Sequence, residues 1–242
     1  MSDITVKEGD VIELSYTGRV DDDIFDTTDK DLAKKEGIYK ENLEYGPITI
    51  MLGAGHIIKG LEEVLIGKEV GYEGEVEIPP EKGFGEYKEE LKMLIPVNKI
   101  KDNAEPGTQV MVDGRIGTID RIIGRRALVD FNLPLAGKVL KYNYKIVRKV
   151  EDPNEQVKAL IKVYINKDVD GVEISEDGVA SVYIGYELSM DRQWMVFKKN
   201  IADELLDHLV DIKEVRYIER YQKSEKSDSD NSNIEGSDKQ QE

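Results

Sequence analysis

Alternation dominates the first part of the chain. In "ITVKEGDVIELSYTGRVDDDIFDTT" (4–28), Val11, Glu13, Ser15 and Thr17 fall on one side, and Ile12, Leu14, Tyr16 and Gly18 on the other. A period of two marks a half-buried strand, with "VDDD" turning the chain into a second, shorter one. Residues 29–45 are charged and poorly periodic and predict a surface excursion. "ITIML" (48–52) resumes strand character, and Ile58, Leu61 and Leu65 then recur at helical spacing. Such a short one-sided helix has to lie across a sheet. Glu73, Glu75 and Glu77 alternate with Gly74, Val76 and Ile78, an edge or half-buried strand that ends at Pro79-Pro80 because proline cannot continue a ladder.

The texture changes over 91–131, where "LKMLIPVNKI", "TQVMVDGRIGTIDRIIG" and "RRALVDF" read as short strands separated by turns. Alternation returns in "LPLAGKVLKYNYKIVRKVED", with Leu140, Tyr142, Tyr144 and Ile146 on one face of a strand over 138–149. The pattern predicts a small β module, 87–131, inserted at a loop of a domain formed by 1–86 and 132–152, since loop insertions cost little closure entropy. Residues 153–222 predict a third region of α/β type. There "VKALIKVYIN" and "VASVYIGYEL" read as strands, and "NIADELLDHLV" as a helix with Asn200 as N-cap and His208 in its last turn. "DIKEVRYIERY" closes it as a strand, and the serine-rich acidic tail 223–242 predicts disorder.

Composition narrows the functions. With 50 acidic against 34 basic side chains the net charge is -16, so a nucleic-acid backbone would be repelled by most of the surface. The one tight basic cluster, Arg121, Arg125 and Arg126, lies in the module and lacks interleaved aromatics, so no nucleic-acid partner is expected. The chain has no cysteine and only two histidines, His56 and His208, which disfavours thiolate chemistry and a zinc site. No metal and no cofactor are expected. A start of "MSDITVKEGD" and the lack of any run of 18 apolar residues predict a soluble cytoplasmic protein without membrane contact.

The glycine-punctuated "GPITIMLGAGHIIKGLEEVLIG" (46–67) raises a phosphate-loop question, which its residues answer in the negative. "GAGHIIKG" lacks the Gly-Lys-Ser/Thr of a P-loop, and "LGAGHI" lacks the third glycine and the βαβ context of a dinucleotide site. Five segments in order, "ELSYTG", "DDIFDTT", "MLGAGHIIKGLEEVLIG", "IPPEKGFGE" and "LAGKVLKYNYKI", instead resemble the FKBP-type peptidyl-prolyl cis-trans isomerases. The insertion and the re-entry after it are similar to the SlyD-like branch, and to its archaeal long form with a further C-terminal domain.

That resemblance implies an α/β (α+β) fold: an antiparallel sheet wrapped on a short helix, an inserted small β domain and an appended C-terminal α/β domain. It implies an apolar pocket for a proline ring. Tyr16 and Phe25 would form one wall with Asp26 as its polar group, Ile57 and Ile58 would flank a backbone N–H for the substrate carbonyl, and Leu61 would be the floor. Phe84 and Tyr142 would close the far side. His56, beside the turn, is expected to face solvent. Three positions depart from the family's usual pattern: Leu61 stands where tryptophan is frequent, Phe84 where tyrosine is common, and Tyr142 where phenylalanine is common. These departures bear on affinity and on sensitivity to a macrolide inhibitor in the pocket.

The resemblance also implies that the module captures unfolded, proline-containing polypeptides. Its many aliphatic residues over so short a span would leave some exposed, the bland alternative being an ordinary small core. A holdase or adaptor with a nearly inactive pocket is the alternative function. For 153–222 a homodimer is expected, because one helix covers only one face of a small sheet. The alternatives are packing of that face on the isomerase domain, or solvation by Lys158, Lys162, Tyr164, Tyr183 and Tyr186.

Overall fold

The computed structural model describes residues 5–100 and 104–221, so the expected tail over 223–242 lies outside the described residues. The first region runs through β1 (Val11–Val20), β2 (Asp23–Thr27), α1 (Lys30–Lys35), β3 (Ile48–Met51), α2 (Lys59–Leu65) and β4 (Glu73–Ile78). Four short strands follow: β5 (Lys92–Pro96), β6 (Gln109–Val112), β7 (Arg115–Ile123) and β8 (Arg126–Asp130). The chain returns through β9 (Leu140–Lys149). It then forms α3 (Pro153–Ile165), β10 (Gly171–Ile174), β11 (Val179–Ile184), α4 (Tyr186–Ser189), α5 (Arg192–His208) and β12 (Glu214–Glu219). The fold is mixed α+β, with antiparallel pairing throughout the first two sheets.

The first sheet has the order β2-β1-β9-β4, with β3 also paired to β1. β9 can occupy the middle because its alternation serves both faces. Leu140, Tyr142, Tyr144 and Ile146 are buried, while Lys141, Asn143 and Lys145 stand opposite Glu77, Glu75 and Glu73. Those cross-strand partners bond at 2.8, 2.8 and 2.6 Å, which accounts for the glutamates of β4; exposed pairs of this kind fix register more than they add stability. Under the sheet α2 buries Leu61 and Leu65. Gly60 permits its close approach, since a Cβ there would come within 2.4 Å of Ile78 Cγ2. The expected surface excursion over 29–45 contains α1, capped by the Asp29 carboxylate and burying only Ala33.

The second sheet, β5-β8-β7-β6, buries Ile100, Val110, Val112, Ile119, Ala127 and Val129 as a separate small core. Met93, Leu94, Met111, Ile116, Ile122 and Ile123 stay exposed on it. Asn132 braces the two connections to the first sheet. Its Oδ1 accepts the Lys88 N–H and its Nδ2 donates to the Lys88 carbonyl, both at 2.9 Å.

The third region departs from expectation. Residues 153–165 are a helix, not a strand. The β-branched residues in "VKALIKVYIN" suggest a strand, but Asp152 caps the Glu155 N–H, Pro153 sits at the first turn, and Val157, Leu160, Ile161 and Ile165 fall on one helical stripe. The helix expected to start at Asn200 begins at Arg192, capped by Asp191, which accepts from the Gln193 and Trp194 N–H groups. Of "VASVYIGYEL" only Val179–Ile184 is strand, and β12 runs parallel to β11. The core of this region includes Val11, Met51 and Val150, so it packs against the side of β1 and β3 away from the first core. No helix among the described residues is long and apolar enough to cross a membrane.

Candidate functional site

Phe25 and Asp26 are consecutive, and in a regular strand they would face opposite sides of the sheet. β2 is not regular there: Gly18 pairs with Asp26 but Arg19 pairs with Ile24, leaving Phe25 unpaired at a bulge. Bulges re-aim side chains, and here both residues reach one site. The Phe25 ring meets Tyr142 edge-on at 5.9 Å and Phe84 at 6.4 Å. The Tyr16 hydroxyl donates to Asp26 Oδ2 at 2.8 Å, and the Tyr16 and Tyr142 rings lie 5.7 Å apart.

Gly18 makes this convergence possible. It lies between Asp26 and Tyr142 in register, and a Cβ there would come 2.8 Å from Phe25 Cζ and 2.9 Å from Tyr142 Cε1. Alternation puts Gly18 on the side of Ile12, Leu14 and Tyr16 and by itself gives it no role. A glycine inside a strongly alternating strand is the signal for such a close approach. Ile57, Ile58 and Phe84 are half-buried against the same core, whose fully buried Leu61 and nearly buried Tyr142 support the rings. The eight expected residues thus form one cluster, with the exposed Asp26 tied in through Tyr16.

Burial, and then the Asp26 carboxylate, hold the hydroxyls of Tyr16 and Tyr142 well above the usual phenol range. Both remain protonated at neutral pH, and that of Tyr16 donates to Asp26. The turn from β3 to α2 uses Gly53 at φ +93 and Gly55 at φ +72, with the Gly53 N–H held by Glu62 Oε1 at 2.7 Å. The Ile58 carbonyl accepts from Leu61 and Glu62 at the start of α2. Among the described residues no acceptor takes the N–H of the half-buried Ile57 or Ile58. His56 does not face solvent as expected: its side chain is only 7% exposed, turned toward α5.

An open concavity of about 640 Å³ lies along Ser15, Thr17, Thr28, Asn143 and Lys145 and shares only Tyr16 with the ring cluster. Polar side chains and Asp29 line much of it, so size is a poor guide to an apolar ligand here.

A sheet wrapped on a short helix, with aromatic rings gathered over a strand glycine, defines a prolyl isomerase of the FKBP type. The chain belongs to that family. Residues 2–106 match the model of the FKBP-type peptidyl-prolyl cis-trans isomerases, and 153–222 match a second one described as FKBP26_C-terminal. A short-type peptidyl-prolyl cis-trans isomerase of Methanocaldococcus jannaschii is 39% identical over 144 residues, which are 58% of this chain and 92% of that protein. SlyD of Haemophilus influenzae is 29% identical over 158 residues, 63% of this chain and 76% of the relative. SlyD of Treponema pallidum is 30% identical over 158 residues, 62% and 82% respectively. The protein is an isomerase acting on peptidyl-prolyl bonds.

Proposed function

We propose that the ring cluster is the prolyl pocket and that the inserted sheet captures unfolded chains for it. Rotation about an X–Pro bond breaks amide resonance against a barrier of about 20 kcal/mol. The twisted state is less dipolar than either planar state, so an apolar seat favours it, and binding it more tightly than the planar forms accelerates rotation. Phe25, Phe84 and Tyr142 would hold the proline ring over Leu61, and an N–H of Ile57 or Ile58 would take the carbonyl before it. The free pair of N–H groups beside the rings is the observation that carries this reading. Asp26 holds the Tyr16 hydroxyl in place as part of the polar wall.

Client capture rests on the apolar side chains left exposed on the insert, Ile116 and Met111 foremost. Flexible apolar surface accepts many sequences, and a second site beside the pocket raises the effective concentration of a bound chain. The test is proline-limited refolding of a protein at substoichiometric enzyme, comparing the full chain with one in which a short bridge replaces 87–131. Refolding catalysis is expected to fall about tenfold while activity on a short X–Pro peptide stays within about twofold. Equal refolding catalysis by the two chains would remove the capture role, and a need for stoichiometric protein would favour a holdase. A homodimer through 153–222 remains our expectation, on the exposed Tyr186, Met190, Met195 and Val196. Sedimentation equilibrium of the full chain against one ending at Asp152 tests it, a monomeric full chain being the adverse result.

A further inference from the structure

His56 lies in the turn that leads to Ile57 and Ile58, and it is gripped from two sides. Its Nδ1 accepts the Met51 N–H at 3.1 Å, so the proton of the neutral ring sits on Nε2. That nitrogen lies 2.9 Å from Oε1 of Glu204 on α5, off the ideal hydrogen-bond direction, and neither atom has another polar partner among the described residues. The other oxygen of Glu204 accepts the hydroxyl of Tyr164, on α3. The Tyr164 ring stands edge-on to His56 at 6.3 Å and packs on Phe197 at 5.9 Å. Both side chains of the central pair are nearly sealed, at 7% and 8% exposure. Burial raises the Glu204 carboxyl, yet the contacts from His56 and Tyr164 outweigh it and hold the group below the usual carboxylate range. Burial and the same carboxylate push Tyr164 up to about 12. The group thus joins an imidazole, a carboxylate and a phenol.

A buried polar group of this kind is rarely the most stable way to fill a seam, because apolar residues of similar volume avoid its desolvation cost. The surrounding seam is apolar: Met51 and Val11 from the isomerase sheet share one core with Leu160, Ile161, Ile201 and Leu205. What the polar triplet adds is direction. An apolar contact would tolerate sliding or rotation of the turn, whereas the Met51 N–H bond at Nδ1 and the close Glu204 carboxylate at Nε2 restrict the plane of His56 and, with it, the peptide that follows.

We propose that Glu204 is a positioning residue for the prolyl pocket: through His56 it orients the turn that offers the Ile57 and Ile58 N–H groups, so the C-terminal region is part of the isomerase machinery. The proposal rests on the reading that these N–H groups bind the substrate carbonyl. Its test uses the full chain with Glu204→Ala, Glu204→Gln, His56→Ala and the Glu204→Ala/His56→Ala double variant. Steady-state isomerisation of a short X–Pro peptide is followed together with the amide resonances of Ile57 and Ile58. Glu204→Ala and His56→Ala are each expected to lower kcat/KM about tenfold, the double variant no further, with both amide resonances shifted. Glu204→Gln keeps the shape and an acceptor for Nε2–H, and is expected to recover most of the loss. A folded Glu204→Ala or His56→Ala variant with parental kcat/KM and unmoved resonances overturns the proposal, as do losses that add independently in the double variant. Titrating the unmodified chain with the same peptide separates the two readings. If the peptide leaves the Ile57 and Ile58 amides unmoved, the carbonyl-binding reading fails and the proposal with it. If the peptide moves them while Glu204→Ala keeps parental activity, only the proposal fails.

Discussion

The isomerase sheet and the inserted sheet are built from the same apolar residue types but deploy them differently. In β1 and β9 the alternation aims Ile12, Leu14, Leu140 and Ile146 into one core. In the insert, Ile119 and Val129 are fully buried while Ile116, Ile122 and Ile123 on the same hairpin remain in water. A sheet of four strands with no α-helix across it among the described residues has too little partner surface to cover both faces. The isomerase sheet has α2 on one side and α3 with its neighbours on the other. Exposure in the insert thus follows from missing cover.

The comparison can be broken first where it predicts the most. Leu140→Ala empties a fully buried position of the central strand and is expected to cost about 2–5 kcal/mol of stability, read by urea unfolding. A loss below 1 kcal/mol would mean that the isomerase core is as loosely filled as the insert. Next, Tyr142→Ala should lower kcat/KM on a short X–Pro peptide about tenfold, with Tyr142→Phe close to the parent, because the ring packs against Phe25 and Tyr16. Equal losses in the two variants would move the role to the hydroxyl. Asp26→Ala should cost less, about threefold, by releasing the Tyr16 hydroxyl; unchanged peptide kinetics would remove Asp26 from the site. The smallest effect is the sharpest contrast. Ile116→Ser on the insert should change unfolding stability by no more than about 0.5 kcal/mol, and weaken binding of a permanently unfolded chain. A large destabilisation would show that the exposed face is covered after all.

The sequence made β1, β4 and β9 legible because most of the apolar residues of each fall on alternate positions facing one core, and period two survives in the letters. The ring cluster was legible residue by residue only through the resemblance. Its geometric cause, the bulge that leaves Phe25 unpaired, depends on which residues pair across β1 and β2, and local pattern does not contain that. Residues 157–165 were misread because Val and Ile favour strands when alone, while the Asp152 cap and the stripe from Val157 to Ile165 favour a helix once a core receives it. His56 was misjudged for a related reason. Its partners, Glu204 and Tyr164, come from helices far along the chain, and no neighbouring residue announces them.

The position of β9 also dictates an order of assembly. It joins β1 to β4, yet it is the last strand of its sheet to leave the ribosome, pairing Ile12 with Lys149. At about 5–20 residues per second, translation of the inserted strands takes several seconds, during which β1 and β4 wait without the strand that unites them. The inserted sheet has all four of its strands by Asp130, with near-neighbour pairings between β6 and β7 and between β7 and β8. A nascent chain can therefore complete this sheet before the rung from Gly18 to Tyr142, over which the rings gather, can form.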